Sequence, residues 1–207
     1  MTALMLLLAA PAVGGILLAF YGHRAQAGLV NVAVSAVTCA AGLGLALQVL
    51  AEGPLLSVGR MFYVDAFNVY LLALTAFVGF TTALFSRPYM AHEYAKGKLK
   101  PRAMRLYHSM YQGFLFAMLL ALSTNNLGVL WVAMEFATLS TGLLVSLYRT
   151  PEAVEAGWKY FILCGVGIAQ ALFGTVLLFF AGHLVLPDGQ DALLWNELYG
   201  IASRLDP

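Results

Sequence analysis

Residues 127–147 read Leu-Gly-Val-Leu-Trp-Val-Ala-Met-Glu-Phe-Ala-Thr-Leu-Ser-Thr-Gly-Leu-Leu-Val-Ser-Leu, and Glu135 is the single charged residue among them. A helix needs about 20 apolar residues to cross the hydrocarbon of a bilayer, and this stretch has that length. Asn125 and Asn126, which favour a turn, come directly before it. The stretch therefore predicts a transmembrane helix with one carboxylate near its middle.

Five further stretches are long and apolar enough to cross a membrane: about 3–20, 28–50, 66–86, 105–122 and 158–182. Of the 207 residues, 61% are hydrophobic and 10% are charged, whereas soluble domains have about 25% charged residues. So few charges cannot cover a surface that faces water. We therefore predict an all-α, polytopic bundle of about six transmembrane helices.

The first stretch resembles a signal peptide, because Ala25-Gln26-Ala27 resembles a cleavage site. However, no Lys or Arg precedes its apolar run. We expect it to remain as the first helix. Residues 1–104 then form three helices, residues 105–183 form helices four to six, and residues 184–207 form a polar, non-cytoplasmic tail.

The basic residues predict the orientation, since cytoplasmic loops carry an excess of Lys and Arg. The loops after helices one, three and five hold nine of the eleven: Arg24, Arg87, Lys96, Lys98, Lys100, Arg102, Arg105, Arg149 and Lys159. Acidic residues dominate the opposite stretches: Glu52, Asp65, Asp188, Asp191, Glu197 and Asp206. Both termini are therefore predicted to be non-cytoplasmic, in a bacterial or archaeal inner membrane.

Residues 87–105 form the one long basic loop predicted on the cytoplasmic side. Such a loop anchors a protein on anionic lipid or offers a docking surface for a cytoplasmic partner. The net charge of +1 gives no indication of nucleic-acid binding, and none is expected. Cys39 and Cys164 lie in apolar runs and are interpreted as small buried side chains rather than metal ligands.

Glu135 is the leading candidate for a functional residue. A carboxylate at this depth is costly unless it faces the bundle interior, has a partner or is protonated. Thr138 and Gly142, at i+3 and i+7, fall on the same side of the helix. Burial disfavours the charged form and a nearby cation favours it, so such a group can exchange a proton. The alternative is a glutamate that only holds two helices together.

Lys159 and His108 are the other candidates for proton transfer. Lys159 opens the sixth predicted helix and is the one cation expected near Glu135, although it could instead extend to the interface. His108, near the start of the fourth helix, could relay protons at the cytoplasmic entrance. Its alternative is an interfacial histidine beside Tyr107 and Tyr111. The sequence has no phosphate-binding loop, dinucleotide fingerprint, metal cluster or nucleophile triad.

The stretch from Tyr107 to Ala171 resembles the antiporter-like membrane subunits of respiratory complex I and its relatives. The resemblance rests on Asn-Asn-Leu-Gly-Val-Leu-Trp-Val-Ala-Met-Glu at 125–135 and Glu-Ala-Gly-Trp-Lys-Tyr-Phe-Ile-Leu-Cys at 155–164. Within the family, the sequence around Glu135 and Lys159 is most similar to that of the hydrogenase-4 type F subunit. The resemblance implies that Glu135 forms a proton-transfer site with a lysine on a broken seventh helix. Lys159 matches a different lysine, which opens the sixth helix.

The family has about fourteen helices, which include two inverted five-helix repeats. This sequence ends at Pro207, where the resemblance places the broken helix, so the first repeat is expected to be incomplete. A fragment, a split gene or an unseen remainder would each account for this. The resemblance implies no cofactor in this chain, and iron–sulfur clusters with nickel–iron or flavin groups in partner subunits.

We therefore expect a proton-translocating subunit of a membrane-bound hydrogenase or of an NADH-quinone oxidoreductase. Its partners would be other membrane subunits, peripheral redox subunits and lipid. One alternative is a subunit of a multi-subunit cation/proton antiporter. Another is a non-conducting anchor that holds peripheral subunits through residues 87–105. The redox reaction itself would belong to the partners.

Overall fold

A computed structural model describes residues 2–186 and 192–204 of the chain. Within them lie six long helices: α1 (Thr2–Tyr21), α2 (Ala27–Glu52), α3 (Ala66–Ala95), α4 (Pro101–Ser123), α5 (Leu127–Val145) and α6 (Pro151–Val185). A seventh, short helix follows, α7 (Trp195–Ile201), with a 3₁₀ turn at Ala202–Arg204. Two short strands, β1 (Leu55–Ser57) and β2 (Phe62–Val64), pair as an antiparallel hairpin between α2 and α3.

The predicted helical membrane bundle is confirmed. Within the described residues, α1, α2, α3, α5 and α6 are each long and apolar enough to span a bilayer. The 23 residues of α4 are also long enough, but its first half carries three buried polar side chains, His108, Ser109 and Gln112. These polar side chains are covered by neighbouring helices, so α4 belongs to the bundle despite its lower hydropathy.

Three helices, α3, α4 and α6, extend well beyond their predicted ends, and the first two correct the predicted loop at 87–105. Helix α3 continues to Ala95, and α4 begins at Pro101, so only residues 96–100 connect them. Gly97 adopts φ 72°, a left-handed conformation that suits glycine and helps to turn the chain. Helix α6 begins at Pro151 rather than near 158, because the Thr150 side chain caps it by accepting from the Ala153 amide.

The first four helices share one apolar core. Helix α1 packs against α2 and α4, and α3 packs against the same two helices. The core contains fully buried leucines: Leu4, Leu7, Leu45, Leu72 and Leu119. Helix α5 lies between α4 and α6, so α6 stands at the outside of the described bundle.

The connections separate the two ends of the bundle by charge. The turns α1–α2, α3–α4 and α5–α6 lie together at one end, which we call the basic end. It holds the nine basic residues counted above, from Arg24 to Lys159, although Lys159 is eight residues into α6. The hairpin, the α4–α5 turn and α7 lie at the other end.

The predicted polar tail at 184–207 is a folded element where it is described. The backbone amide of Trp195 donates to the Asn125 carbonyl, and the Asn125 side chain donates to Asn196 Oδ1. Glu197 forms an ion pair with Arg60 of the hairpin turn. Two predicted acidic positions, Asp188 and Asp191, lie outside the described residues, as does Asp206 near the end of the sequence.

Candidate functional site

Glu135 lies at the centre of α5, as predicted. The Asn126 side chain caps this helix by accepting hydrogen bonds from the amides of Gly128 and Val129, which fixes the first turn at Leu127. Glu135 is the ninth residue of the helix, about 13 Å along it at 1.5 Å per residue. Its side chain is half-buried.

The face of α5 that carries Glu135 is directed towards α6. Trp131, one turn before Glu135, donates from Nε1 to the Ile168 carbonyl at 2.8 Å. Gly142, two turns after Glu135, lies against the ring of Tyr160. Residues at i−4 and i+7 share a helix face with residue i. Glu135 therefore sits at the α5–α6 interface and not in the core of the first four helices.

The Glu135 carboxylate has neither a hydrogen bond nor an ion pair within residues 2–186 and 192–204. The neighbouring hydroxyls do not reach it, because they bond their own helix. Thr138 Oγ1 donates to the Met134 carbonyl at 3.0 Å, and Thr141 Oγ1 donates to the Ala137 carbonyl at 2.9 Å. Back-bonding of this kind leaves the carboxylate open to a partner that can approach along the α5–α6 interface.

Lys159 does not provide that partner in this structure. Its Nζ forms an ion pair with Glu155, one turn earlier on the same helix, and 74% of its side chain is exposed. Gly157 and Ile168 mark the side of α6 that contacts α5. Lys159 follows Gly157 by two residues, about 200° around the helix. Its side chain is therefore directed away from the α5–α6 interface.

His108 is buried inside the bundle rather than interfacial. It is 2% exposed, and its ring meets the ring of Tyr107 edge-on at a centroid distance of 5.1 Å. Its Nδ1 has no hydrogen-bond partner among the residues that the structure describes. The position and burial of His108 are compatible with proton relay. However, His108 lies in α4 and the face of α5 that carries Glu135 is directed towards α6, so the structure does not bring the two residues together.

A buried polar cluster next to His108 was missed by sequence reasoning. Gln112, one turn after His108 and fully buried, donates from Nε2 to Asn31 Oδ1 at 2.8 Å and to Ser35 Oγ at 2.9 Å on α2. Nearby, Ser109 Oγ donates to the Gly15 carbonyl on α1. The signal was available as three polar residues, at 108, 109 and 112, inside the stretch 105–122 that is predicted to cross the membrane. Together these bonds join α1, α2 and α4 with polar contacts inside the membrane bundle.

No three His, Cys, Asp or Glu side chains come together as a possible metal site in the described part of the chain. Cys39 is buried and Cys164 is half-buried on α6, and both are free thiols.

Comparisons with known proteins agree with the sequence resemblance. The chain is 53% identical over 148 residues to the hydrogenase-4 component F homolog of Methylacidiphilum infernorum, a match that covers 72% of this chain and 31% of that protein. It is 32% identical over 104 residues to NADH-quinone oxidoreductase subunit N of Heliobacterium modesticaldum, covering 49% of this chain and 22% of that protein. The chain thus spans less than a third of the length of either relative. No family model matches it.

The fold is also found in a solved structure. A chain of the membrane-bound sulfane sulfur reductase, an archaeal respiratory membrane complex, superimposes with a TM-score of 0.75 at 21% identity. The superposition covers 87% of this chain and 38% of that chain. The two chains therefore share the arrangement of their helices over that length. The sequence identity to the two relatives shows that this chain belongs to the family of antiporter-like membrane subunits that includes hydrogenase-4 component F and NADH-quinone oxidoreductase subunit N.

Proposed function

We propose that this chain is part of a proton-translocating membrane subunit in which Glu135 takes up and releases a proton. The observation that carries the proposal is a half-buried carboxylate at the centre of α5 with no hydrogen bond or ion pair in the described residues. Ionisable groups in this position are costly and usually serve transport. A carboxylate that packs two helices together would be expected to have a bonded partner.

The partner of Glu135 would be a cation that is brought to the α5–α6 interface. The family resemblance suggests a lysine on a broken seventh helix. When that cation is near, the charged carboxylate is favoured, and when it withdraws, the protonated form is favoured. Each change of partner would thus move one proton on or off Glu135. His108 would act as a separate relay in α4, and Lys159 would remain paired with Glu155.

The whole assembly would be a membrane-bound hydrogenase or an NADH-quinone oxidoreductase, in line with the names of the two relatives. Iron–sulfur clusters and nickel–iron or flavin groups would lie in peripheral subunits, which perform the redox reaction. The positive-inside distribution supports an orientation with the basic end in the cytoplasm and both ends of this chain outside it. Residues 105–183 would begin the first of the family's inverted repeats.

The test is Glu135→Gln in the assembled complex, with proton movement and electron transfer measured on the same preparation of proteoliposomes. Glutamine keeps the size of the side chain and cannot release a proton. We expect proton movement to fall by at least about tenfold, since a positioned acid–base group contributes about 10²-fold or more. The matched control is Glu155→Gln, which removes an exposed carboxylate from α6 and should leave proton movement unchanged.

Three outcomes would contradict the proposal. If Glu135→Gln pumps normally while Glu135→Ala lowers the yield of complex, the glutamate only packs helices. If proton movement needs sodium and no redox partner, the subunit belongs to a cation/proton antiporter. If charge removal at residues 87–105 prevents assembly while Glu135→Gln changes nothing, the subunit is an anchor.

A further inference from the structure

A basic cavity opens between α1, α4 and the α5–α6 turn. Its volume is about 880 Å³, within the range of ligand-binding pockets. Five of its lining residues are cationic: Lys98, Lys100, Arg102, Arg105 and Arg149. No acidic side chain lines it among the residues that the structure describes. Such a cavity favours an anionic occupant.

The cavity is held in shape by a buried carboxylate beside it. Glu93, at the end of α3, is 6% exposed and forms an ion pair with Lys98 at 3.1 Å. Its other oxygen accepts a hydrogen bond from Tyr148 at 3.2 Å. Glu93 thereby fastens both the 96–100 connection and the α5–α6 turn to α3. The charge of Lys98 is therefore neutralised by Glu93, whereas the other four cations of the cavity are not neutralised by it.

Those four cations have no acidic partner within residues 2–186 and 192–204. Arg149 is held with φ 53°, a conformation that few residues other than glycine adopt. The turn therefore keeps Arg149 at the cavity at the expense of its preferred backbone geometry. Unpaired cations gathered around one cavity repel each other, and an anion placed among them would relieve that repulsion.

A second, apolar groove adjoins the basic cavity. It has a volume of about 620 Å³ and runs between α5 and α6, lined by Leu139, Leu143, Trp158 and Phe161. Arg149 lines both spaces. Trp158 is 60% exposed, as is common for tryptophan at the interface of a membrane. The basic cavity suits a phosphate group, and the groove beside it suits a hydrocarbon chain.

We propose that this pair of spaces binds one anionic phospholipid, with its phosphate in the basic cavity and an acyl chain in the α5–α6 groove. A free phosphate would use only the cavity, and an acidic peptide would leave the groove exposed. A lipid held there would pack along the helix that carries Glu135. The proposal is independent of the function of Glu135, because it concerns binding and not proton movement.

The test measures binding to the full chain, purified in mild detergent and freed of lipid, by native mass spectrometry. Long-chain phosphatidylglycerol is the anionic probe and phosphatidylcholine is the neutral one. Inorganic phosphate and glycerol 3-phosphate represent free anions. We expect phosphatidylglycerol to bind at least about tenfold more tightly than each of the others, since each basic residue near the surface contributes to anionic lipid binding.

The cavity variant removes the four unpaired charges: Lys100→Gln, Arg102→Gln, Arg105→Gln and Arg149→Asn. Asparagine is used at 149 because it tolerates a positive φ. Binding of phosphatidylglycerol should weaken by at least about tenfold. If this variant is not monodisperse on gel filtration, Arg102→Gln and Arg149→Asn are tested singly, and each should weaken binding by about threefold.

The matched control removes four charges from the same end but outside the cavity: Arg24→Gln, Arg87→Gln, Lys96→Gln and Lys159→Gln. Its affinity for phosphatidylglycerol should change by less than about twofold, since none of these four side chains lines the cavity. Equal weakening in both variants would overturn the cavity as a site. Equal binding of phosphatidylcholine would overturn the anionic preference. Equal binding of phosphate or glycerol 3-phosphate would overturn the lipid as occupant. A Glu135→Gln variant should bind the lipid as the unmodified chain does.

Discussion

Helices α1 to α4 and the pair α5–α6 differ in how closely they pack and in whether their central polar side chains, Gln112 and Glu135, have partners. In the first region Gln112 donates to Asn31 and Ser35, so polar side chains are joined to each other. In the second region Glu135 has no partner in the described residues. Nine of the 26 residues of α2 are buried, compared with two of the 35 in α6. The packed region therefore supplies stability, and the proposed chemistry lies where packing is least complete.

The largest expected effect comes from filling a glycine contact in the packed region. A Cβ at Gly22 would lie 2.9 Å from the Cα of Arg105, and backbone atoms cannot move aside easily. We expect Gly22→Ala to lower the free energy of unfolding by about 3 kcal/mol. Reversible unfolding of the full chain in detergent would measure it.

The control for that variant lies on α6. A Cβ at Gly165 would meet nothing within 4 Å. Gly165→Ala should raise the free energy of unfolding by about 0.5 kcal/mol, because glycine is unfavourable inside a helix. Equal effects at the two glycines would remove the distinction between the regions.

The next effect concerns the polar cluster. Gln112→Leu leaves Asn31 and Ser35 without their donor, and we expect a loss of about 2 kcal/mol of unfolding free energy. Gln170→Leu, at an exposed position of α6, should change it little. A smaller loss at Gln112 than at Gln170 would show that the cluster does not support the bundle.

A smaller effect is expected at the contact between α5 and α6. Trp131→Phe removes the hydrogen bond from Nε1 to the Ile168 carbonyl. Bonds between membrane helices average about 0.6 kcal/mol, so a loss near that value is expected. Trp158→Phe is the control, since Trp158 is exposed at the groove. If Trp158→Phe lowers the free energy of unfolding more than Trp131→Phe does, the Trp131 hydrogen bond does not hold α6 against α5.

The smallest effect is expected at the exposed ion pair of α6. A double-mutant cycle of Lys159→Ala and Glu155→Ala should give a coupling energy of at most about 0.5 kcal/mol, as for other exposed pairs. Proton movement by the assembled complex should be unchanged in Lys159→Ala. A large loss of proton movement in Lys159→Ala would instead show that Lys159 takes part in proton transfer with Glu135.

Helix number, helix type and the depth of Glu135 could all be predicted, because long apolar runs have few alternatives in a membrane chain. The orientation of Lys159 could not be predicted. It depends on where α6 begins. Because the Thr150 side chain caps α6 at Pro151, Glu155 lies in the same helix and can pair with Lys159. The length of α3 was missed for a similar reason, since charged residues at 87–95 continue a helix beyond the apolar span.

The polar cluster was missed because hydropathy averages over a window. A charged residue such as Glu135 stands out in an apolar run, whereas uncharged Asn31, Ser35 and Gln112 do not. These residues lie on two helices, and only their packing shows that they share bonds. The hairpin of β1 and β2 was also missed, since three-residue strands leave little pattern in a sequence.

The bonds of Asn125 have a consequence for the order in which the chain assembles. Asn125 joins the hairpin turn near residue 60, through the carbonyls of Arg60 and Met61, to Asn196 beyond α6. These partners are separated by more than half of the sequence, and contacts between distant residues form late in folding. During synthesis, the hydrogen bond from Asn125 to Asn196 can therefore form only after α6 has been inserted. The contacts at the end of the bundle opposite the basic turns would form last, after the helices are in the membrane.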